Sequence, residues 1–147
     1  MTRQQKTVSK IIELKGFSKE QLEAEVRKAR VRLDAEEENL DGLECEYKRM
    51  TDDFCLRQTS GALAVHEIGL FYTYMKHMSR QVESQKGIVA MRASELEEKQ
   101  KSLVVAYKEQ RLLEILQDKM DGVQAKDAVR KDQKESDCQF LMRKLKQ

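Results

Sequence analysis

The chain has 147 residues, of which 37% are charged and only 5% aromatic, so bulky apolar material is too scarce for a thick globular core. Its formal net charge of +2 is not the excess of a protein built to neutralise phosphates, and no apolar run is long enough to span a bilayer. Nucleic-acid binding and membrane insertion are set aside on those grounds.

Proline is absent and Glu, Lys, Gln, Leu, Ala and Arg dominate, which favours long helices. The polar start MTRQQKTVSK lacks the apolar segment of a signal peptide, and three cysteines at unpatterned spacings (Cys45, Cys55, Cys138) suit a reducing compartment. A cytosolic protein is expected.

Val8, Ile11, Ile12 and Leu14 predict two or three helical turns over residues 5–15, with Gly16 as a joint. Ser18 followed by Gln21 reads as a capping box, and Phe17 with Leu22 as a hydrophobic staple, so the first long helix is expected to start or kink at Ser18 and to run to about residue 57. Its apolar positions are Leu22, Val26, Ala29, Leu33, Leu40, Leu43, Tyr47, Met50 and Phe54, spaced by alternating fours and threes. Only the slot at Glu36 is polar, and a pattern this long is a coiled-coil seam.

Gln58, Thr59, Ser60 and Gly61 hold the only clustered turn chemistry, which predicts a turn over about residues 58–62. A second helix is predicted over about 63–140. Ile68, Met75, Val82, Val89, Leu96 and Leu103 recur every seven residues, with Phe71, Met78 and Ala106 in the complementary slots. Beyond Leu103 the apolar stripe drifts to Leu113, Leu116, Met120 and Val123. Gly69, Gly87 and Gly122 weaken this helix by about 1 kcal/mol each relative to alanine without ending it.

Two seams joined by a short turn pack most simply on each other, giving an all-α fold: a single coiled-coil domain, an antiparallel hairpin of two long helices, the second longer than the first. Pairing about the turn sets residue i near roughly 121 minus i, so Leu33 meets Val89 and Val26 meets Leu96. A first helix is then exhausted near Met120, and the rest of the second helix overhangs. At about 1.5 Å per residue that helix is roughly 100 Å long or more.

Charge varies along the chain. Asp34 to Glu46 contains seven acids and no base, whereas both ends lean basic.

No glycine-rich phosphate loop and no nucleophile with its base can be found, and two helices offer no concave site for catalysis, so an enzyme is not expected. Cys55, His66 and His77 would share a face of one helix at steps of eleven, but roughly 16 Å apart, too far for a common metal. No metal and no cofactor are expected. The methionines Met75, Met78, Met91, Met120 and Met142 read first as packing residues.

The stretch AYKEQRLLEILQDK, followed by VRKDQKESDCQFLMRK, resembles the FliJ family of flagellar export proteins. Ala106, Lys108, Glu109, Arg111, Glu114, Leu116, Asp118 and Lys119 fill the first of that family's charged blocks, and Gln133, Lys134 and Asp137 the second. Gln110 departs from a usual base, Asp132 from a usual Glu, and Cys138 from a usual acid.

The resemblance implies a central stalk for the type III export ATPase, held in the cytoplasm and peripherally associated with the export apparatus at the inner membrane. The partners it implies are the flagellar export ATPase hexamer of the FliI type, an export gate protein of the FlhA type and export chaperones. It assigns ATPase binding to Lys108, Glu109, Arg111, Glu114, Arg130, Lys131, Gln133, Lys134 and Asp137, and gate binding to Phe71, Met78, Val82, Gln85 and Val89. Four of these last five also fall on the predicted seam, where packing competes with a partner. Gln85 is the one that seam packing does not require. A prefoldin-like chaperone and a homodimeric structural rod are the alternatives, the first weakened because RQTSGAL is too short to hold β-hairpins.

Overall fold

In the computed structural model, which describes residues 2–146, the chain forms two α-helices, α1 (Arg3–Thr59, 57 residues) and α2 (Val65–Leu145, 81 residues). Among the described residues there is no strand. The helices run antiparallel and pack as a coiled-coil hairpin, the second longer than the first.

Helix α1 does not start at Ser18 but runs through it from Arg3. Its N-cap is Thr2, whose Oγ1 accepts from the Gln5 amide at 3.3 Å while Gln5 Oε1 accepts from the Thr2 amide at 3.0 Å. This is a reciprocal capping box with the same T/S-x-x-Q spacing found at Ser18. The staple expected there does not form, since Phe17 is 66% exposed. The physical reason is that the seam keeps its phase through Gly16: Gln5, Val8, Ile12, Lys15, Lys19 and Leu22 alternate by threes and fours and are all buried or half-buried. One glycine costs a helix only about 1 kcal/mol, so Gly16 cannot break it.

The turn spans residues 60–64, slightly later than expected, because Gln58 and Thr59 complete the last turn of α1. Gly61 sits at φ 71°, and the amides of Gly61 and Ala62 donate back to the carbonyls of Gln58 (3.4 Å) and Arg57 (3.2 Å). Those two bonds and the left-handed glycine are a Schellman motif. On the far side the Ala64 amide donates to Glu67 Oε2 at 3.4 Å, placing an acid in the first turn of α2. Helix α2 continues to Leu145, past the expected end near 140.

The chain divides into two compact units, Leu22–Leu103 and the remainder, which takes the chain up to Gln21 and from Val104 onwards. In the first, the expected apolar seam is buried or half-buried except at Tyr47, which is 37% exposed. Ala29, Leu33 and Leu96 form a core with Val26 and Val89 packed against it, in the expected register. Met75 and Met78 are buried, and near the turn Phe54 stacks face to face on Phe71 with ring centroids 3.7 Å apart.

In the second unit the contacts between helices are mostly polar. Gln5 Nε2 donates to Asp121 Oδ1 (3.2 Å) and Gln124 Oε1, Gln117 Nε2 donates to Ser9 Oγ (3.2 Å), and Lys15 pairs with Glu109 at 2.9 Å. Lys19 Nζ lies 5.1 Å from the centroid of the Tyr107 ring. Here the pairing slips along α2: Ser9 meets Gln117 rather than Leu112, and Lys15 meets Glu109 rather than Ala106.

The stripe does not drift to Leu116 and Val123 as expected. The seam keeps its alternating three and four spacing through Leu103, Ala106, Gln110, Leu113, Gln117 and Met120, all half-buried, while Leu116 and Val123 are 45% and 58% exposed. Heptad geometry, not apolarity, decides which residues face the partner helix.

Candidate functional site

The residues to which the resemblance gave roles fall into two groups. Phe71, Met78, Val82, Gln85 and Val89 occupy α2 seam positions in the Leu22–Leu103 unit. Phe71 stacks on Phe54, with Tyr72 edge-on to both rings at 6.0 Å; Met78 is 3% exposed; Val82 is half-buried; Val89 rests on the Ala29, Leu33 and Leu96 core.

Gln85 was the member that packing did not require, and here the structure corrects the expectation. Its Nε2 donates to Glu36 Oε2 at 2.6 Å and to the Glu36 carbonyl at 3.0 Å. Glu36 is the polar slot of the α1 seam, so the two residues satisfy each other in one polar layer. The signal was present, since the pairing rule places residue 36 opposite residue 85.

Lys108, Glu109, Arg111 and Glu114 lie on α2 in the second unit. Glu109 is bound to Lys15, and Arg111 Nη1 reaches Glu114 Oε2 at 3.4 Å within α2, so three of these four charges have intramolecular partners. Both pairs are largely exposed and contribute little stability, with medians of about 0–1 kcal/mol for such pairs. Lys108 is exposed and makes no ion pair among the described residues.

Arg130, Lys131, Gln133, Lys134 and Asp137 belong to a different environment. From Asp121 to Lys146 every described residue of α2 is exposed, and these five make no hydrogen bond or ion pair among the described residues. The same stretch exposes Val129, Phe140, Leu141, Met142 and Leu145. A helix exposed on every side, charged and apolar together, has no packing reason for its side-chain chemistry.

Cys55 lies on α1 whereas His66 and His77 lie on α2, so the single-helix geometry considered for them does not apply. Among the described residues no group of three His, Cys, Asp or Glu could hold a metal ion, and no helix is long and apolar enough to cross a membrane.

Fold and exposed surface together define a two-helix coiled-coil hairpin whose charged groups lie along helix faces. The description of the flagellar FliJ protein family matches residues 4–144, nearly the whole chain, and the chain belongs to that family, a component of flagellar export. No curated protein and no solved structure matches the chain.

Proposed function

We propose that the chain is the central stalk of the flagellar type III export ATPase, linking the ATPase hexamer to the membrane export gate without catalysing a reaction itself. The observation that carries this reading is the stretch of α2 beyond Met120, helical and exposed on all sides, which presents Arg130, Lys131, Gln133, Lys134 and Asp137 without intramolecular partners. Those charges, with Lys108 and the Glu109 to Glu114 block, form the ATPase-binding end. A helix that contacts successive subunits of a ring unequally biases their states, and that is the means of coupling.

The gate contact lies at the turn end. Phe71, Met78, Val82, Gln85 and Val89 all rest against α1, so a gate contact through these side chains calls for local separation of the helices. A double substitution Leu33→Cys and Val89→Cys, oxidised to close the pair, separates the cases: binding that survives closure belongs to the outer faces.

Stimulation of ATP hydrolysis tests the stalk role. The full chain added to a purified flagellar export ATPase is expected to raise hydrolysis and hexamer formation, and removal of Val129 to Gln147 is expected to abolish both while leaving most helicity intact. Stimulation retained by the truncated chain refutes this placement of the ATPase-binding end. Absence of both binding and stimulation by the full chain refutes the stalk.

A further inference from the structure

In the unit formed by the chain up to Gln21 and from Val104 onwards, exposed apolar residues stand one position ahead of the seam residues Ile12, Lys15, Ala106, Leu113 and Gln117. On α1 these are Ile11 and Leu14, and on α2 Val105, Leu112 and Leu116, between 37% and 68% exposed. In an antiparallel coiled coil the positions preceding the seam on both helices lie on the same side of the pair, so these residues flank one groove rather than scattering. The groove is open in the structure: Thr7 and Val8 face Leu116 and Met120 around a cavity of about 460 Å³, and a neighbouring hollow of about 310 Å³ continues it past Met120 to Val123.

On α1 this second stripe is peculiar to that unit. In Leu22–Leu103 the corresponding α1 positions are occupied by Glu25, Lys28, Arg32 and Glu46, as expected of a solvated flank. On the opposite flank of the groove-bearing unit the α1 positions are Lys6, Ser9, Glu13 and Glu20. An apolar stripe on both helices and on one flank only leaves room for a third helix packed by ridges into grooves.

Charge selects the occupant. Arg3 and Lys119 stand on opposite walls of the groove, and helical spacing places Lys10, Lys108 and Lys126 along its outer edges. None of the five makes an ion pair among the described residues. Of the acids at the groove, Glu109 is already bound to Lys15, and Asp127 lies at one end. The walls therefore present uncompensated positive charge beside apolar surface.

We propose that this groove docks an amphipathic helix of a partner protein whose apolar edge is flanked by acidic side chains. A second copy of this chain suits it poorly, because the stretch from Lys126 to Lys146 carries seven bases against four acids and would set cation against cation. A bilayer suits it poorly too, since a flat surface cannot reach the half-buried Val8 and Met120 on the groove floor. The proposal shares Lys108 with the ATPase-binding end but stands on the apolar flank of the helix pair, so peptide binding can fail while removal of Val129 to Gln147 still abolishes stimulation, and the reverse.

The probe is a labelled synthetic peptide of about 20 residues, long enough to be helical. It carries leucines at helical spacing with glutamates on both sides, and a second peptide replaces the glutamates by lysines. Fluorescence anisotropy with the full chain is expected to show binding of the glutamate peptide alone. Leu116→Glu and Lys119→Glu should each weaken that binding about fivefold or more, whereas Lys6→Glu, the same charge change on the opposite flank, should leave it unchanged. Helicity by circular dichroism confirms that each variant folds.

Equal binding of both peptides, no binding of either, or an equal loss with Lys6→Glu overturns the proposal. So does a dimer in sedimentation that Leu116→Glu dissolves, which would give the groove to a second copy. Adsorption to phosphatidylglycerol vesicles that Leu116→Glu abolishes would give it to a membrane surface and overturn the proposal equally.

Discussion

Gln85 Nε2 bridges the carboxylate and the backbone carbonyl of Glu36 at 2.6 and 3.0 Å, so the one acid on the α1 seam is answered by an amide on the facing seam of α2. Both residues are half-buried, which makes the layer matter in two ways. A half-buried carboxylate that loses its donor bears a desolvation cost of about 1–3 kcal/mol. A lone polar layer in an apolar seam also fixes register, because any slip separates the pair.

Gln85→Leu is therefore expected to lower stability by about 1–3 kcal/mol in urea unfolding. Adding Glu36→Leu should recover the loss and go beyond it, because two leucines facing each other replace a buried polar pair at little cost. The double variant should be less specific in register, seen as heterogeneity in inter-helix distances measured by spin labels. A double variant no more stable than Gln85→Leu alone would contradict this account.

The glycines give a signed contrast. Gly61 occupies the left-handed region at φ 71°, so Gly61→Ala is expected to cost about 1 kcal/mol. Gly16 and Gly122 lie inside regular helix with nothing within 4 Å of the place a Cβ would take. Alanine at either is expected to raise stability by up to about 1 kcal/mol. Thermal unfolding of the three single variants measures both signs, and a gain at residue 61 would refute the turn geometry.

Much of this was legible in the sequence, since the hairpin, the inequality of its helices and the pairing of Val26 and Leu33 with Leu96 and Val89 follow from heptad spacing and one glycine-containing turn. Apolarity alone carries the α2 stripe to Leu116 and Val123, and capping spacing with a glycine joint sets a start or kink of α1 at Ser18. The true seam runs through Gln5, Lys15, Lys19, Gln110 and Gln117, polar residues in unbroken heptad phase. Long polar side chains hold such slots because their stems pack while their tips find partners, as Gln5, Lys15 and Gln117 do. The groove beside Leu116 was hidden by the same assumption, because its apolar wall had been spent on the seam.

Tyr74 offers a pH-dependent reporter of the turn-proximal helix pair. Its Oη donates to Glu46 Oε1 at 3.2 Å across the two helices. Desolvation, and then the hydrogen bond to the Glu46 carboxylate and that group's charge, push the phenol above its ordinary 10.0, with Arg49 opposing. The neutral phenol is the form the folded state favours. Its contribution is fully present below pH 10.0 and is lost as pH rises through the folded value. Tyrosine ¹³Cζ titration by NMR should find Tyr74 ionising above the ordinary value, and Glu46→Gln should bring it down. A phenol unmoved by Glu46→Gln would show that the contact is absent in solution.

Local stability should follow the chemistry of the seam. In Leu22–Leu103 the buried side chains are Ala29, Leu33, Phe54, Met75, Met78 and Leu96, whereas among the described residues of the other unit only Gln5 is buried. Apolar burial stabilises by about 25 cal/mol per Å², while hydrogen bonds and exposed ion pairs exchange for water at little net gain. The helix pair built on Gln5, Ser9, Lys15 and Lys19 should open at lower free energy than the pair built on Leu33 and Leu96. Native-state hydrogen exchange is expected to show the amides of Ile12 and Leu113 exchanging faster than those of Leu33 and Leu96, and the amides from Val129 onwards, which lie past the last contacts with α1, exchanging fastest of all. Lys15→Leu and Gln117→Leu should slow exchange at Ile12 and Leu113 by filling seam slots with apolar volume. Uniform protection along α1 would mean that polar and apolar seams hold equally well, and would refute the ranking.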